Sequence, residues 1–411
     1  MFKSQFFKNV LTLSSGTFNS QLIIFVGTPI LTRIYDPESF GILALYLSFV
    51  GIFWTISSGK YELAIVLPKE RKDALNLLVL SIIVNIFFFC FCLLITFSFI
   101  KYFNLKLIFV FIPFGIFIES LISSINQYNN RNKKYKYMSI VKIIRSIIVT
   151  LLQILFYYFG IKNFGLLWGL AIGSFISLVF LIIPYYQILI NTFSKVSKDE
   201  LIVVALDYIR FPKFQAFSAF LNAISQNSIL LLLSLFYGPI IVGYYALAHR
   251  TLRIPIVLIS DSVRQIFYKE GADLINNKRN ILNIFNKTTI TLLVISLPIT
   301  LLVWNFLPSL FVFIFGNEWL ITGEYAQILI FWLLFLFVNP PSIASIHLLG
   351  LQKEYMFYEI LLLIFRAISI YIGYYFYSNV LISLQLFVLI SVLFNILLIS
   401  FIYFRIKLYV K

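Results

Sequence analysis

Twelve stretches of this chain are long and apolar enough to constrain everything else about it. They run over 9–32, 41–66, 75–100, 108–127, 139–160, 165–190, 214–236, 241–265, 285–306, 322–346, 355–377 and 381–404. Each is near or above the roughly 20 residues that a helix needs to cross hydrocarbon. A span in lipid must satisfy its own backbone, which a helix does. The fold class that follows is an all-α polytopic membrane protein of about 12 transmembrane helices. Composition agrees, with 61% hydrophobic and 12% charged residues, against about 25% charged in soluble domains. The first run is long and no small-residue cleavage site follows it, so it reads as a retained span rather than a signal peptide.

The net charge of +16 suggests a polyanion partner until its distribution is read. With twelve spans both termini share a side. The loops on that side carry twenty Lys and Arg residues, against Arg33, Lys101, Lys106 and Lys162 on the other. Such an asymmetry places both termini in the cytoplasm. Most of the basic charge is therefore topology, and no nucleic-acid partner is expected.

The chain also repeats itself. Tyr35, Pro37, Gly41, Ala44 and Leu45 recur 202 positions later as Tyr237, Pro239, Gly243, Ala246 and Leu247. An even number of spans per copy gives a parallel repeat with its axis along the membrane normal. The expected domains are an N-terminal bundle of six helices over 1–190, a partly amphipathic cytoplasmic linker over 191–213, and a second six-helix bundle over 214–411 ending in a basic tail.

Polar groups inside the spans are the candidate functional residues, because ionisable side chains are costly in hydrocarbon and face a bundle interior or a watery cavity. In the second span Lys60 and Glu62 lie two apart, face different ways, and so are not expected to pair with each other. Lys60 either snorkels to the cytoplasmic surface or serves as a functional cation. Glu119 in the fourth span either pairs with a neighbouring cation or binds an ion or proton. Lys142 and Arg145 are three apart on one face of the fifth span, a snorkelling pair or the mouth of an anion cavity. Gly165, Gly169 and Gly173 read as a small-residue packing face. Cys90 and Cys92 read as apolar fillers.

The eighth span is the most unusual. His249, Arg250 and Arg253 interrupt its apolar run, and Arg250, Arg253, Val257, Asp261 and Arg264 fall on one stripe. Pro255 is expected to kink it. The stripe is either a cationic cavity wall or an internal Arg–Asp network. In the eleventh span Glu359 and Arg366 share a face, for pairing or for lining a cavity. Trp319 and Glu324 read as interfacial residues.

Other classes are disfavoured. No Gly-rich Lys-Ser/Thr phosphate loop is present, two histidines cannot build a His-rich metal or haem site, and no loop is long enough for a catalytic domain. No enzyme, cofactor or metal is expected.

PILTRIYDPESFG closing the first span, SGKYELAIVLPKE ending the second, and GYYALAHRTLRIPIVLISDSVRQIFYKE in the eighth resemble the polysaccharide-transporter branch of the multidrug/oligosaccharidyl-lipid/polysaccharide exporters, the Wzx-type O-antigen and capsule-repeat flippases. The resemblance implies two six-helix bundles around a central cleft and alternating access. It also implies an undecaprenyl-diphosphate-linked oligosaccharide as substrate, moved outward across the bacterial inner membrane for O-antigen, lipopolysaccharide or capsule synthesis. Membrane lipids, a polysaccharide polymerase and a chain-length regulator would be its partners. In the family, cleft cations meet the anionic lipid. Carried onto this chain, that points to Arg250, Arg253 and Lys60, which lie in matching motifs. Lys142, Arg145 and Arg366 are added on burial alone. Glu62, Glu119, Asp261 and Glu359 would couple an ion or pair internally. The competing readings are a drug or cation antiporter of the same architecture, which would want acidic cavity residues, and a membrane-embedded polymerase or ligase, which would want a large external loop.

Overall fold

The computed structural model describes residues 2–103, 110–277 and 279–409. Lys106, Lys278 and Lys411, counted above as loop charges, lie outside the described residues, as do the side chains of Lys3, Lys8, Lys101 and Lys195. All regular structure among the described residues is helical. The helices are α1 (Phe2–Ile34), α2 (Pro37–Ser57), α3 (Tyr61–Ala64), α4 (Arg71–Phe103), α5 (Phe111–Arg131), α6 (Tyr135–Tyr158), α7 (Gly165–Ile182), α8 (Tyr186–Lys195), α9 (Lys198–Asp207), α10 (Phe217–Tyr237), α11 (Pro239–Asn276), α12 (Leu282–Trp304), α13 (Leu307–Phe315), α14 (Leu320–Val338), α15 (Pro340–Leu348), α16 (Gln352–Tyr377) and α17 (Val380–Tyr409).

Among the described residues, nine helical stretches are both long and apolar enough to cross a membrane. Helices α1, α5 and α11 have the length, at 33, 21 and 38 residues, and are more polar. The twelve expected spans thus map onto twelve long helices, and the chain is a multi-pass membrane protein. Three spans are interrupted, the sixth by a 3-10 turn at Ile183–Tyr185 between α7 and α8. The second ends as a helix at Ser57, because Gly59 and Lys60 both take left-handed backbone angles, φ 61° and 58°, before the single turn of α3. The tenth breaks at Asn339, where Pro340 and Pro341 start α15.

By contact the chain divides into two compact units: Met1–Tyr35 with Ile42–Asn227, and Asp36–Gly41 with Ser228–Lys411. In the first unit α6 packs against both α1 and α7. A Cβ added at Gly169 would lie 2.7 Å from the backbone nitrogen of Gln153, so only glycine allows α7 to approach α6 this closely. Tyr35 closes the end of this layer by donating to the Gln153 carbonyl at 2.6 Å. Residues 191–213 belong to this unit. Ser197 caps α9 by accepting from the Glu200 amide, and Val204 is buried. Lys72 of α4 holds Glu200 at 2.6 Å.

The second unit is built around α14, which packs against α11, α12, α13 and α17. The segment Asp36–Gly41 belongs to it. Pro37 and Pro239 each occupy the first turn of a helix, where their fixed φ is already helical and no amide is missed. Asp36 accepts from the Ser39 amide at 2.9 Å. Gly41 and Gly243, partners in the 202-residue echo, then meet each other. A Cβ on Gly41 would lie 1.8 Å from the Pro239 carbonyl oxygen, and one on Gly243 would lie 1.9 Å from that of Pro37. Trp319 is not an interfacial anchor. It is fully buried, edge-on to Phe40 and Tyr244, at the end of the 3-10 turn Asn317–Trp319 that follows Gly316 (φ 108°).

Candidate functional sites

In the first unit the break after Ser57 creates a buried ionic cluster that helical geometry forbids. On a continuous helix Lys60 and Glu62 would diverge. With Gly59 and Lys60 left-handed they converge, and Lys60 Nζ lies 3.4 Å from Glu62 Oε1. The expectation that they do not pair is corrected on this point. Ser58 donates to the other carboxylate oxygen at 2.5 Å. All three residues are buried, so the ions compensate each other out of water. Lys60 Nζ also sits 4.6 Å from the centre of the Trp54 ring, a cation–π contact.

A second cluster joins α5, α6 and α7. Arg145 binds Glu119 with both terminal nitrogens, one of them at 3.2 Å, and also donates to Ser174 Oγ at 2.8 Å. The fork geometry of guanidinium suits this two-point contact. Glu119 and Arg145 keep 30% and 24% of their side-chain surface exposed, so the pair is reachable from outside the unit. Lys142, one turn away on α6, has no carboxylate partner among the described residues and donates to Thr17 Oγ1 at 3.1 Å. Two cations against one carboxylate leave a net positive charge here. Two cavities adjoin this cluster, one lined by Arg145 and one by its partners Glu119 and Ser174. One, of about 160 Å³, is lined by Thr17, Asn126, Lys142 and Arg145 among others. The other, of about 290 Å³, is lined by α2, α5 and α7 through Tyr46, Trp54, Glu119 and Ser174 among others.

In the second unit α11 runs as one helix through Pro255. Arg250 and Arg253 are exposed on it. Asp261 pairs with Arg264 at 2.9 Å, a half-exposed contact within one turn. Arg366 of α16 is held differently. Its guanidinium carbon lies 5.0 Å from the ring centres of both Trp332 and Phe387, and Nε donates to Ser391 at 2.9 Å. His249 stacks between Tyr245 and Trp332, with ring centres 5.7 and 5.4 Å away. The four-residue step from Tyr245 to His249 carried the signal for the first of these contacts. Trp332 and Phe387 sit in apolar runs with nothing to mark them. Glu359 lies one turn beyond Tyr355 on α16, four residues along the same face. No group of three or more His, Cys, Asp and Glu residues able to hold a metal occurs among the described residues.

Several residues in these clusters were not singled out from sequence: Trp54, Ser58 and Ser174 in the first unit, Trp332 and Phe387 in the second. The hydroxyls look like ordinary packing residues, and only the partner helix gives each its role.

Comparison with known proteins places this geometry. The family described as polysaccharide biosynthesis protein matches residues 30–323. No curated protein matches the sequence. Among solved structures, the lipid II flippase MurJ in an inward closed conformation has a TM-score of 0.67 at 14% identity, covering 97% of this chain and 90% of that one. An inward-facing multidrug resistance transporter of the MATE family gives 0.65 at 14% identity, covering 96% and 94%. A transporter of the same MOP superfamily from Pyrococcus furiosus, described by the reverse polarity of its binding pocket, gives 0.53 at 15% identity, covering 97% and 96%. These likenesses establish a shared fold. The family match covers most of the chain, and the chain belongs to the polysaccharide biosynthesis protein family, as its resemblance to the polysaccharide-transporter flippases implied.

Proposed function

We propose that this protein is a flippase that moves undecaprenyl-diphosphate-linked oligosaccharide units from the cytoplasmic to the outer leaflet by alternating access, for O-antigen or capsule synthesis. It is a transporter and not an enzyme, sits in the bacterial inner membrane, and has both termini in the cytoplasm. The observation that carries the reading is the surplus of cations on membrane-spanning helices. Lys142, Arg250 and Arg253 have no carboxylate partner among the described ion pairs. Charges in a span cost roughly 2.5–3.5 kcal/mol each and persist where they meet something. A diphosphate is the matching anion, and arginine binds it in a bidentate fork. The likeness in fold to a lipid II flippase supports the same substrate class. The inside-negative potential favours outward movement of each negative charge by about 2.3 kcal/mol per 100 mV. The drug-antiporter reading wants free carboxylates. Glu62 and Glu119 are both engaged in ion pairs, which weighs against it.

The test is Arg250 in a flippase-deficient strain, scoring surface polysaccharide beside the amount of protein in the membrane. Arg250→Ala abolishes export at normal protein level, and Arg250→Lys restores part of it, since lysine keeps the charge and loses the fork. Full export by Arg250→Ala refutes the role. Loss of the protein itself makes the residue structural.

A further inference from the structure

The larger cavity beside Arg145 has a chemistry that diphosphate binding does not use. We infer that it is a saccharide subsite, holding the sugar next to the diphosphate; the inference rests on the flippase reading above. Its volume, about 290 Å³, is at the lower end of the roughly 300–1,000 Å³ of small-molecule pockets, the size of a single ring rather than an extended chain. Its walls combine what a sugar ring requires. Trp54 supplies a flat apolar surface for the ring's C–H face. Glu119 offers carboxylate oxygens that accept from sugar hydroxyls, and Ser174 offers a hydroxyl that does either. A carboxylate repels phosphate, so this cavity is the wrong one for the diphosphate itself. The right one is adjacent: Lys142 and Arg145 line the smaller cavity, and Arg145 reaches Glu119 and Ser174 from there. Arginine thus stands where the phosphate ends and the sugar begins.

The cavity is built for occupancy. An apolar void of this size would forfeit packing on every wall, whereas a cavity with polar groups holds water that a ligand's hydroxyls replace. Gly51 and Gly115 keep its α2 and α5 walls thin, and Gly115 lets Tyr46 close against α5, where a Cβ would meet the tyrosine oxygen at 2.0 Å. The Trp54 ring is also held in place. Lys60 sits on it at 4.6 Å, Glu62 fixes Lys60, and Ser58 fixes Glu62. The broken end of α2 therefore acts on the site through Trp54. Lys60 is in this account a positioning residue for the sugar platform.

The experiment measures binding to the full chain in nanodiscs, using undecaprenyl diphosphate and its single-sugar derivatives bearing glucose, galactose or N-acetylglucosamine. At least one derivative binds wild type about tenfold more tightly than the bare lipid. Trp54→Leu reduces that preference to about onefold while leaving bare-lipid affinity within about twofold, and Trp54→Phe retains most of it. Thermal unfolding of each variant confirms that it is folded. The subsite is overturned if no derivative outbinds the bare lipid, if the variants weaken bare and glycosylated lipid equally, or if Trp54→Leu tightens the bare lipid, which would make the cavity a hydrocarbon slot. Binding of bare lipid with no sugar preference refutes the subsite and leaves the flippase reading standing. Failure of every probe to bind refutes the flippase substrate itself.

Discussion

Gly41→Ala should destabilise the protein although alanine is the better helix former. The gain from adding a methyl to a helical glycine is about 1 kcal/mol. The cost is set by what the methyl meets. At Gly41 it would lie 1.8 Å from the Pro239 carbonyl oxygen, 2.7 Å from its carbon and 3.2 Å from the Gly243 nitrogen, all backbone atoms that cannot rotate away. The two helix starts must separate until that 1.8 Å approach reaches the 3.4 Å at which ordinary contact begins. Overpacking costs about 1–3 kcal/mol, and an obstruction made of backbone belongs at the top of that range. The net loss is then about 2 kcal/mol. Gly243→Ala should cost the same, because its methyl meets the Pro37 oxygen at 1.9 Å in the mirrored arrangement. The double variant should cost clearly less than the two singles together, since the separation that admits one methyl admits the other. Gly51→Ala, further along the same α2, is the control. Its nearest contact is Asn227 Nδ2 at 3.7 Å, so it should be neutral or stabilising by up to about 1 kcal/mol. Thermal unfolding of the four variants in one detergent reads all of this. Unchanged melting of Gly41→Ala, or full additivity in the double variant, refutes the reciprocal contact.

Lys60→Met should cost about 3–5 kcal/mol by leaving Glu62 buried without its partner, and Lys60→Met with Glu62→Gln should recover most of it; recovery is read as melting temperature and amount of protein in the membrane, and its absence refutes the pairing. At the surface, the hydrogen bond from Lys72 holds the Glu200 carboxyl below its ordinary range. A depressed carboxyl contributes its stability above the unfolded value, about 4.3, and loses it as pH falls through the folded value. Hydrogen exchange along α9 should therefore rise on acidification below about pH 4, and Glu200→Gln should show raised exchange at neutral pH with that acid step gone.

Much of the fold was legible because hydrocarbon is a severe selector. A run such as 381–404, almost free of charge, has one available structure, and α17 covers it. The exceptions are instructive. Helices α1, α5 and α11 are long enough to cross and fall outside the nine that also pass on apolarity. They carry Thr17, Glu119 and Arg250. The property that blurs a span in hydropathy is the property that marks a site, since both come from polar groups placed at membrane depth.

What the sequence hid is backbone and partnership. Lys60 and Glu62 diverge on any continuous helix over 41–66, and nothing in SSGKYELA announces that Lys60 itself, a non-glycine residue, takes φ 58°. That one conformation converts a snorkelling lysine into half of a buried ion pair and turns it onto Trp54. Arg145 shows the complementary case. Its depth was readable from spacing along α6. Its meaning depends on Glu119 arriving from α5 and Ser174 from α7, at separations in sequence of 26 and 29 residues. Once those partners are in place the guanidinium lines one cavity, which is cationic, and holds two groups that line the other, which bears a carboxylate and an aromatic face. A ligand that is anionic at one end and hydroxylated at the other satisfies both together. A simple anion would fill only the first, and a neutral sugar only the second.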